Sequence, residues 1–385
     1  MRVVVDKNNP LVGEAFRQFG EVQALGTKEI TKETLRDADM IIIRSETKVT
    51  KDLLDGSKVK FVGTATIGTD HVDLEYLRLR GIGFASAPGS NANSVAEYFT
   101  SAVLTLAKRK GFTLSGKALG VVGVGNVGSK IVRNARALGM NVLQNDPPLA
   151  RVTADPSYAP LDKLMEADFI TLHVPFTKSG SDPTFHLFDG TRINKMKKGA
   201  ILFNTARGAV VDGEALKEAI ECKHLGGALL DVWEGEPLID IDLMEKVDIA
   251  TSHIAGYSFD GKLAAVKMMY SVACKFFGQP ETWTQGNSLP KPAVEHVIVP
   301  QGTESHEEVL RKIVSQCYDI ECDDRALRLI ANVLPDERRS FFAGLRAEYR
   351  MRREFFNTVV TLPSSLTALQ QPLRTIGFRV EIGKV

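Results

Sequence analysis

The sequence predicts an α/β protein built on parallel sheets, and three observations carry the prediction. Short apolar runs alternate with amphipathic stretches from the start of the chain. A second and longer alternating series begins near Gly116. At the head of that series a glycine-rich turn, Gly123-Val-Gly125-Asn-Val-Gly128, joins an apolar run to a helical pattern.

In the first series, Val3 to Val5, Met40 to Ile43 and Lys60 to Ala65 read as buried strands. Leu11 to Phe19 and Lys32 to Arg36 have helical spacing between them. In the second, the strands are Leu119 to Val124, Met140 to Asp146, Asp168 to Val174, Ala200 to Thr205 and Gly227 to Val232, with a short run from Asp248 to His253. Ser129 to Leu138 and Gly213 to Ile220 are helical. Strands with intervening helices in this number match a doubly wound dinucleotide-binding sheet. Gln279 to His296, rich in Pro, Gly and polar residues, reads as a linker. Beyond it lies a separate α+β module: helical segments at Glu307 to Gln316, Asp324 to Val333 and Arg338 to Glu354, then a strand-like tail, Ile376 to Ile382.

Composition narrows the function classes. At about 150 residues per domain, 385 residues suggest two or three domains. Lys+Arg is 48 and Asp+Glu is 47, so no global field draws in nucleic acid or an anionic membrane. No apolar run approaches the ~20 residues that span a bilayer, and the opening MRVVVDKNNP has no signal-peptide apolar stretch. Cys222, Cys274, Cys317 and Cys322 are scattered and form neither a disulfide framework nor a metal-ligand spacing. The expected setting is the reducing cytosol, with no metal.

The glycine turn has a specific chemistry. Gly123 permits the tight turn, Gly125 lets backbone approach a pyrophosphate, and Gly128 lets strand and helix pack closely. The pyrophosphate would meet the N-terminus of the following helix. Asp146, 18 residues beyond Gly128, ends the next strand. A carboxylate there accepts hydrogen bonds from a ribose 2′-OH and repels a 2′-phosphate, which favours NAD over NADP.

Ligands of open α/β sheets sit beyond the carboxyl ends of the strands. Three strands here end near chemically capable residues: Arg207, Glu236 and His253. Singly, each reads as an ordinary surface or turn residue. Together, beside a dinucleotide fingerprint, they fit hydride-transfer chemistry. Alcohol oxidation needs a base near neutral pKa, a carboxylate to orient it and a cation for a carboxylate substrate; histidine, glutamate and arginine supply these.

The segments GVVGVGNVGSKIV, NTARGAVVD, LDVWEGEP and TSHIAGY resemble the D-isomer-specific 2-hydroxyacid dehydrogenases, and RSETKVT and TIGTDHVD look like that family's N-terminal substrate loops. HVPFTKSGSDPTFHLFD, HIAGYSFDGK and GLRAEYRMRREF are similar to a branch that acts on a phosphorylated four-carbon hydroxy acid during pyridoxal 5′-phosphate synthesis. The resemblance implies a Rossmann-type NAD domain, a flavodoxin-like α/β substrate domain and a small C-terminal α+β dimerisation domain. The implied boundaries are 94–252 for NAD, 1–93 with 253–285 for substrate, and 286–385 for a homodimer contact. A cleft between the first two would close on the substrate.

Carried over by motif, Arg207, Glu236 and His253 are catalytic. Asn126, Val127, Asp146, Val174, Thr205, Asp231 and Gly256 join the three loop glycines on NAD, with Arg207 also at its edge. Ser45, Thr66 and Tyr257 contact substrate. For the substrate's phosphate, Lys48, Arg44 and the cluster Arg346, Arg350, Arg352 and Arg353 are open candidates, and one cluster member is expected to reach a partner subunit's active site. The alternative for that cluster is a solvated helix face ion-paired to Glu348 and Glu354. The trio alone also allows another family member, such as 3-phosphoglycerate dehydrogenase, or an NAD(H)-sensing corepressor-like protein.

Overall fold

The computed structural model describes residues 1–286 and 289–383. The chain divides into two compact units, Met1–Ala92 with Ser258–Lys291 and Asn93–Tyr257 with Pro292–Val385.

The first unit is a five-stranded parallel sheet: β1 (Arg2–Asp6), β2 (Glu21–Leu25), β3 (Met40–Ile43), β4 (Phe61–Thr64) and β5 (Gly83–Ala85), in the order β2-β1-β3-β4-β5. This is the flavodoxin-like order. The central strands are apolar because both faces are covered. Val3, Val5, Met40 and Ile42 pack with Phe16, Met269 and Tyr270 on one side. Val4, Ile41, Ile43 and Val62 pack with Leu35, Leu54 and Leu77 on the other. The edge strands β2 and β5 carry no apolar run in the sequence, since an edge strand is only half buried. The linker segment is anchored at its start, where Thr282 and Trp283 donate their N–H groups to the Tyr270 hydroxyl, each at 2.8 Å. Its Asn287 and Ser288 lie outside the described residues.

The second unit carries β6 (Ala118–Val122), β7 (Asn141–Asn145), β8 (Phe169–Leu172), β9 (Ile201–Asn204), β10 (Gly227–Leu230) and β11 (Ile249–Ala250). Their order is β11-β10-β9-β8-β6-β7, all parallel. The chain therefore reverses direction across the sheet at β6, and the glycine turn leaves from that switch point. Beyond β7 a single bridge, Gln144 to Tyr158, extends the sheet. Successive residues face opposite cores, Phe203 with Val121 on one side and Leu202 with Val122 on the other.

The C-terminal segment adds a three-stranded parallel sheet, β12 (His296–Ile298), β13 (Val359–Pro363) and β14 (Arg379–Gly383). Its helices run His306–Cys317, Ile320–Arg328 and Arg338–Ala347. Three expectations are corrected here. The middle helix starts four residues earlier than its pattern suggests, because the Asp319 side chain caps it. The third ends at Ala347 and does not reach Glu354. Arg350 and Arg352 are drawn instead to the buried carboxylates of Asp323 and Glu97, and tertiary pairing overrides the helical spacing. The tail is split: Ile376 ends a helix, Gly377 (φ +123°) breaks it, and β14 begins at Arg379.

Candidate functional site

The glycine turn shows which glycines the fold itself requires. Gly123 has φ +84°, and a Cβ there would sit 2.7 Å from the His173 carbonyl oxygen. A Cβ on Gly128 would be driven into the carbonyl oxygen of Gly123. Gly125 is different. Its φ of −70° suits any residue, and a Cβ there would meet nothing within 4 Å. Packing explains the first and third glycines; the second keeps open a space outside the chain, at the N-terminus of helix Asn126–Ala137. No side chain caps that helix, so its leading N–H groups are left for water or an external anion. Gly125 and Asn126 are exposed, Val127 half-buried.

Asp146 ends β7 and does two structural jobs. One carboxylate oxygen accepts the Val124 N–H at 2.8 Å and the other the Leu149 N–H at 3.0 Å. The acid read from the sequence as a ribose acceptor thus also pins the glycine turn.

The next strands supply the other wall. Val174 follows β8, its Cγ1 2.9 Å from where a Gly123 Cβ would stand. His173 lies between two hydroxyls, Thr171 Oγ1 at 2.9 Å on Nε2 and Thr205 Oγ1 at 3.3 Å on Nδ1. Burial pushes its pKa down to about 3, so the ring is neutral. It orients Thr205, and the reading of the sequence missed it. The signal was present: a histidine directly after an apolar strand, the same cue that marked His253.

Arg207 stands after β9 in a turn clamped by Asn204. The Asn204 Nδ2 donates to the Arg207 carbonyl at 2.9 Å, and its Oδ1 accepts the Ala206 N–H at 3.0 Å. The Arg207 Nη1 donates to the Ala206 carbonyl at 2.8 Å. Gly208 follows because a side chain there would collide with the Trp233 backbone. That close approach brings the Arg207 turn against the turn bearing Glu236.

His253 is held from below by Asp231, which is 1% exposed. The Asp231 carbonyl accepts the His253 N–H at 2.7 Å. Its carboxylate accepts the N–H groups of Ile254 (2.8 Å) and Ala255 (3.0 Å) and the Thr251 hydroxyl (2.6 Å). These bonds fix His253 at φ +59°, a left-handed conformation that a non-glycine residue rarely adopts. In this pose His253 Nδ1 hydrogen-bonds Glu236 Oε1. The other Glu236 oxygen accepts the Trp233 N–H at 3.1 Å. Burial alone would raise the Glu236 pKa. The His253 hydrogen bond and charge, the Trp233 N–H and the Arg346 guanidinium outweigh it and hold the carboxyl below the usual glutamate range. The arrangement is an imidazole oriented by a carboxylate through Nδ1.

Gly256 and Tyr257 continue this turn, both half-buried. Ser45 and Thr66 belong to the first unit, just past the carboxyl ends of β3 and β4. Ser45 is exposed, and the Thr66 hydroxyl donates to the Gly68 carbonyl at 2.9 Å. There too Arg44 pairs with Glu46 at 3.9 Å, and Lys48 is exposed.

The arginine cluster separates. Arg350 pairs with Asp323 and donates to the Asp319 carbonyl. Arg352, 4% exposed, bonds Glu97 at 2.8 Å and lies over the Tyr318 ring at 4.3 Å. Arg353 reaches Asn357 at 2.7 Å. Arg346 donates to the Tyr257 hydroxyl at 3.1 Å. Glu354, expected as a helical ion-pair partner, instead accepts the Ser94 hydroxyl at 2.8 Å.

The chain is similar to known proteins. Residues 90–255 match the family model described as D-isomer specific 2-hydroxyacid dehydrogenase, NAD binding domain, and residues 288–377 match a domain of unknown function. The erythronate-4-phosphate dehydrogenase of Salinibacter ruber is 46% identical over 362 residues, 92% of each chain. That of Marinobacter nauticus is 39% identical over 385 residues, 99% of this chain and all of its own. Among solved structures, the TT0316 protein from Thermus thermophilus superposes with a TM-score of 0.62 at 30% identity, over 73% of this chain and 99% of that one. D-lactate dehydrogenase from Aquifex aeolicus, complexed with NAD and lactic acid, superposes with a TM-score of 0.59 at 27% identity, over 72% of this chain and 96% of that one.

Proposed function

Because the chain belongs to the D-isomer-specific 2-hydroxyacid dehydrogenase family, we propose that it oxidises 4-phospho-D-erythronate to 2-oxo-3-hydroxy-4-phosphobutanoate with NAD, a step in pyridoxal 5′-phosphate synthesis. The observation that carries this reading is the His253–Glu236 pair beside the Arg207 turn, on the same strand-end edge as the glycine turn.

The open space at Gly125 fits a dinucleotide pyrophosphate. Gly123, Asn126, Val127 and Gly128 would surround it, with Asp146 at the ribose. Val174, Thr205, Asp231, Arg207 and Gly256 would line the nicotinamide end. NAD held there would supply the acceptor for the hydride leaving substrate C2. The chain's residues do the rest. Arg207 binds the substrate carboxylate and polarises the C2 oxygen. His253 Nε2 removes the C2 hydroxyl proton, and Glu236, already ionised, stabilises the resulting imidazolium through Nδ1. Asp231 acts beneath them by holding His253 in its left-handed pose.

Ser45 and Thr66, with Tyr257, complete the substrate contacts. In this reading 1–93 with 253–285 bind substrate, 94–252 bind NAD, and 286–385 pair two copies into a cytosolic homodimer. Among the described residues no helix is long and apolar enough to cross a membrane.

The test is NADH formation at 340 nm with 4-phospho-D-erythronate and 3-phospho-D-glycerate in parallel, each with NAD or NADP. Preference for the four-carbon acid with NAD is the expected result. Preference for 3-phosphoglycerate would keep the chemistry and discard the substrate. Absence of turnover, in protein that binds NADH, would overturn the enzyme reading.

A further inference from the structure

A substrate with a carboxylate at one end and a phosphate at the other needs two cationic grips. Arg207 answers the carboxylate. The four arginines of the C-terminal segment meet different partners. Arg350 serves the buried Asp323. Arg352 is buried against Glu97, Tyr318 and the Tyr257 carbonyl. Arg353 holds Asn357. Arg346 is placed on a side chain of the proposed site. Its Nη2 donates to the Tyr257 hydroxyl at 3.1 Å, and its guanidinium carbon lies 5.7 Å from that ring's centroid. Tyr349 packs edge-on to the same ring, with centroids 5.9 Å apart, and steadies it. Arg346 is half-buried, in the last turn of helix Arg338–Ala347, so its head group is neither sealed in the core nor loose in solvent.

We propose that Arg346, acting in its own chain's site, binds the phosphate of the substrate and forms with Tyr257 the recognition pair that selects phosphorylated hydroxy acids. This inference rests on the reading of Tyr257 as a substrate contact. A guanidinium fork matches a phosphate in shape and charge, and the Tyr257 hydroxyl fixes the fork before substrate arrives, which reduces the ordering needed on binding. The C-terminal segment then has a purpose within a single chain, which the expectation of a contribution to the partner's site did not foresee.

The test compares Arg346→Ala and Arg346→Lys with the wild type on 4-phospho-D-erythronate and on unphosphorylated D-erythronate. Loss of a hydrogen bond to a charged group predicts that Arg346→Ala lowers kcat/KM for the phosphorylated acid by about 10- to 100-fold, mostly through KM. The loss on D-erythronate should be at least about threefold smaller, and Arg346→Lys should retain part of the selectivity. Unchanged melting temperatures check the folds. Equal losses on both substrates would overturn the proposal. So would a shifted pH profile of kcat at constant KM, since that would mean action through Glu236. If the wild type oxidises neither acid, the functional reading fails, and inorganic phosphate is the remaining probe. Thermal stabilisation by phosphate in the wild type that Arg346→Ala abolishes supports the inference; stabilisation that persists in the variant, or is absent from the wild type, overturns it.

Discussion

Substituting the first and second glycines of the turn separates a fold requirement from a ligand requirement. At Gly123, alanine must adopt φ +84° and place its Cβ 2.7 Å from the His173 carbonyl oxygen and 2.9 Å from Val174 Cγ1. The left-handed conformation costs about 1–2 kcal/mol and the overpacking about 1–3 kcal/mol. Together these lower stability by roughly 2–5 kcal/mol, a fall in Tm of about 5–15 °C for a unit of this size. At Gly125 the φ is −70° and the added methyl meets nothing. Gly125→Ala should melt within about 2 °C of the wild type, because the reduced freedom of the unfolded chain roughly offsets the poorer helix cap. Its NADH affinity should nevertheless fall at least about tenfold, or 1.4 kcal/mol, since the methyl occupies the approach to the pyrophosphate. Thermal unfolding and NADH fluorescence titration on both variants read the two effects. Wild-type NADH affinity in Gly125→Ala would refute the placement of the dinucleotide.

Two further outcomes follow from the charges. Glu236→Gln should reduce kcat by about 10²- to 10⁴-fold while leaving NADH binding unchanged, and a loss below tenfold would remove Glu236 from the chemistry. The Glu236 carboxyl is depressed in the fold, so its ionised form stabilises the protein above the free glutamate value of 4.5. That contribution disappears as pH falls through the depressed value, and the stability difference between wild type and Glu236→Gln should narrow there. His173 has the opposite chemistry: its folded value of about 3 lies below the free value of 6.5. Between these pH values the unfolded chain takes up a proton that the folded chain refuses, so stability falls as pH falls, by about 1.4 kcal/mol per unit at most. Denaturant unfolding at stepped pH should show a shallower slope in His173→Asn; equal slopes would exclude this role.

What could be read from the sequence was whatever local pattern determines. The central strands are continuous apolar runs because both faces of each sheet are covered, and Met40–Ile43 emerges with its limits intact. The edge strands Glu21–Leu25 and Gly83–Ala85 gave no such run. The candidate trio was picked out because strand ends and suitable residue types coincide. The work of Asp231 was not: a buried aspartate that hangs a left-handed histidine from its carboxylate has no signature in a linear string. The ending of the third C-terminal helix was hidden for the same reason. Arg352 leaves the helical register to meet Glu97, which no local window contains.

That last pairing sets an order of events during synthesis. Glu97 and Arg352, 3–4% exposed, are 255 positions apart in the chain. At 5–20 residues per second, roughly 13–50 s separate the emergence of the acid from that of its counter-charge. The apolar strands β6 to β11 are made during that interval, while a carboxylate destined for the interior has no cation to accompany it. A buried unpaired charge costs several kcal/mol. Until Arg352 is made, Glu97 can enter the interior only unpaired or protonated.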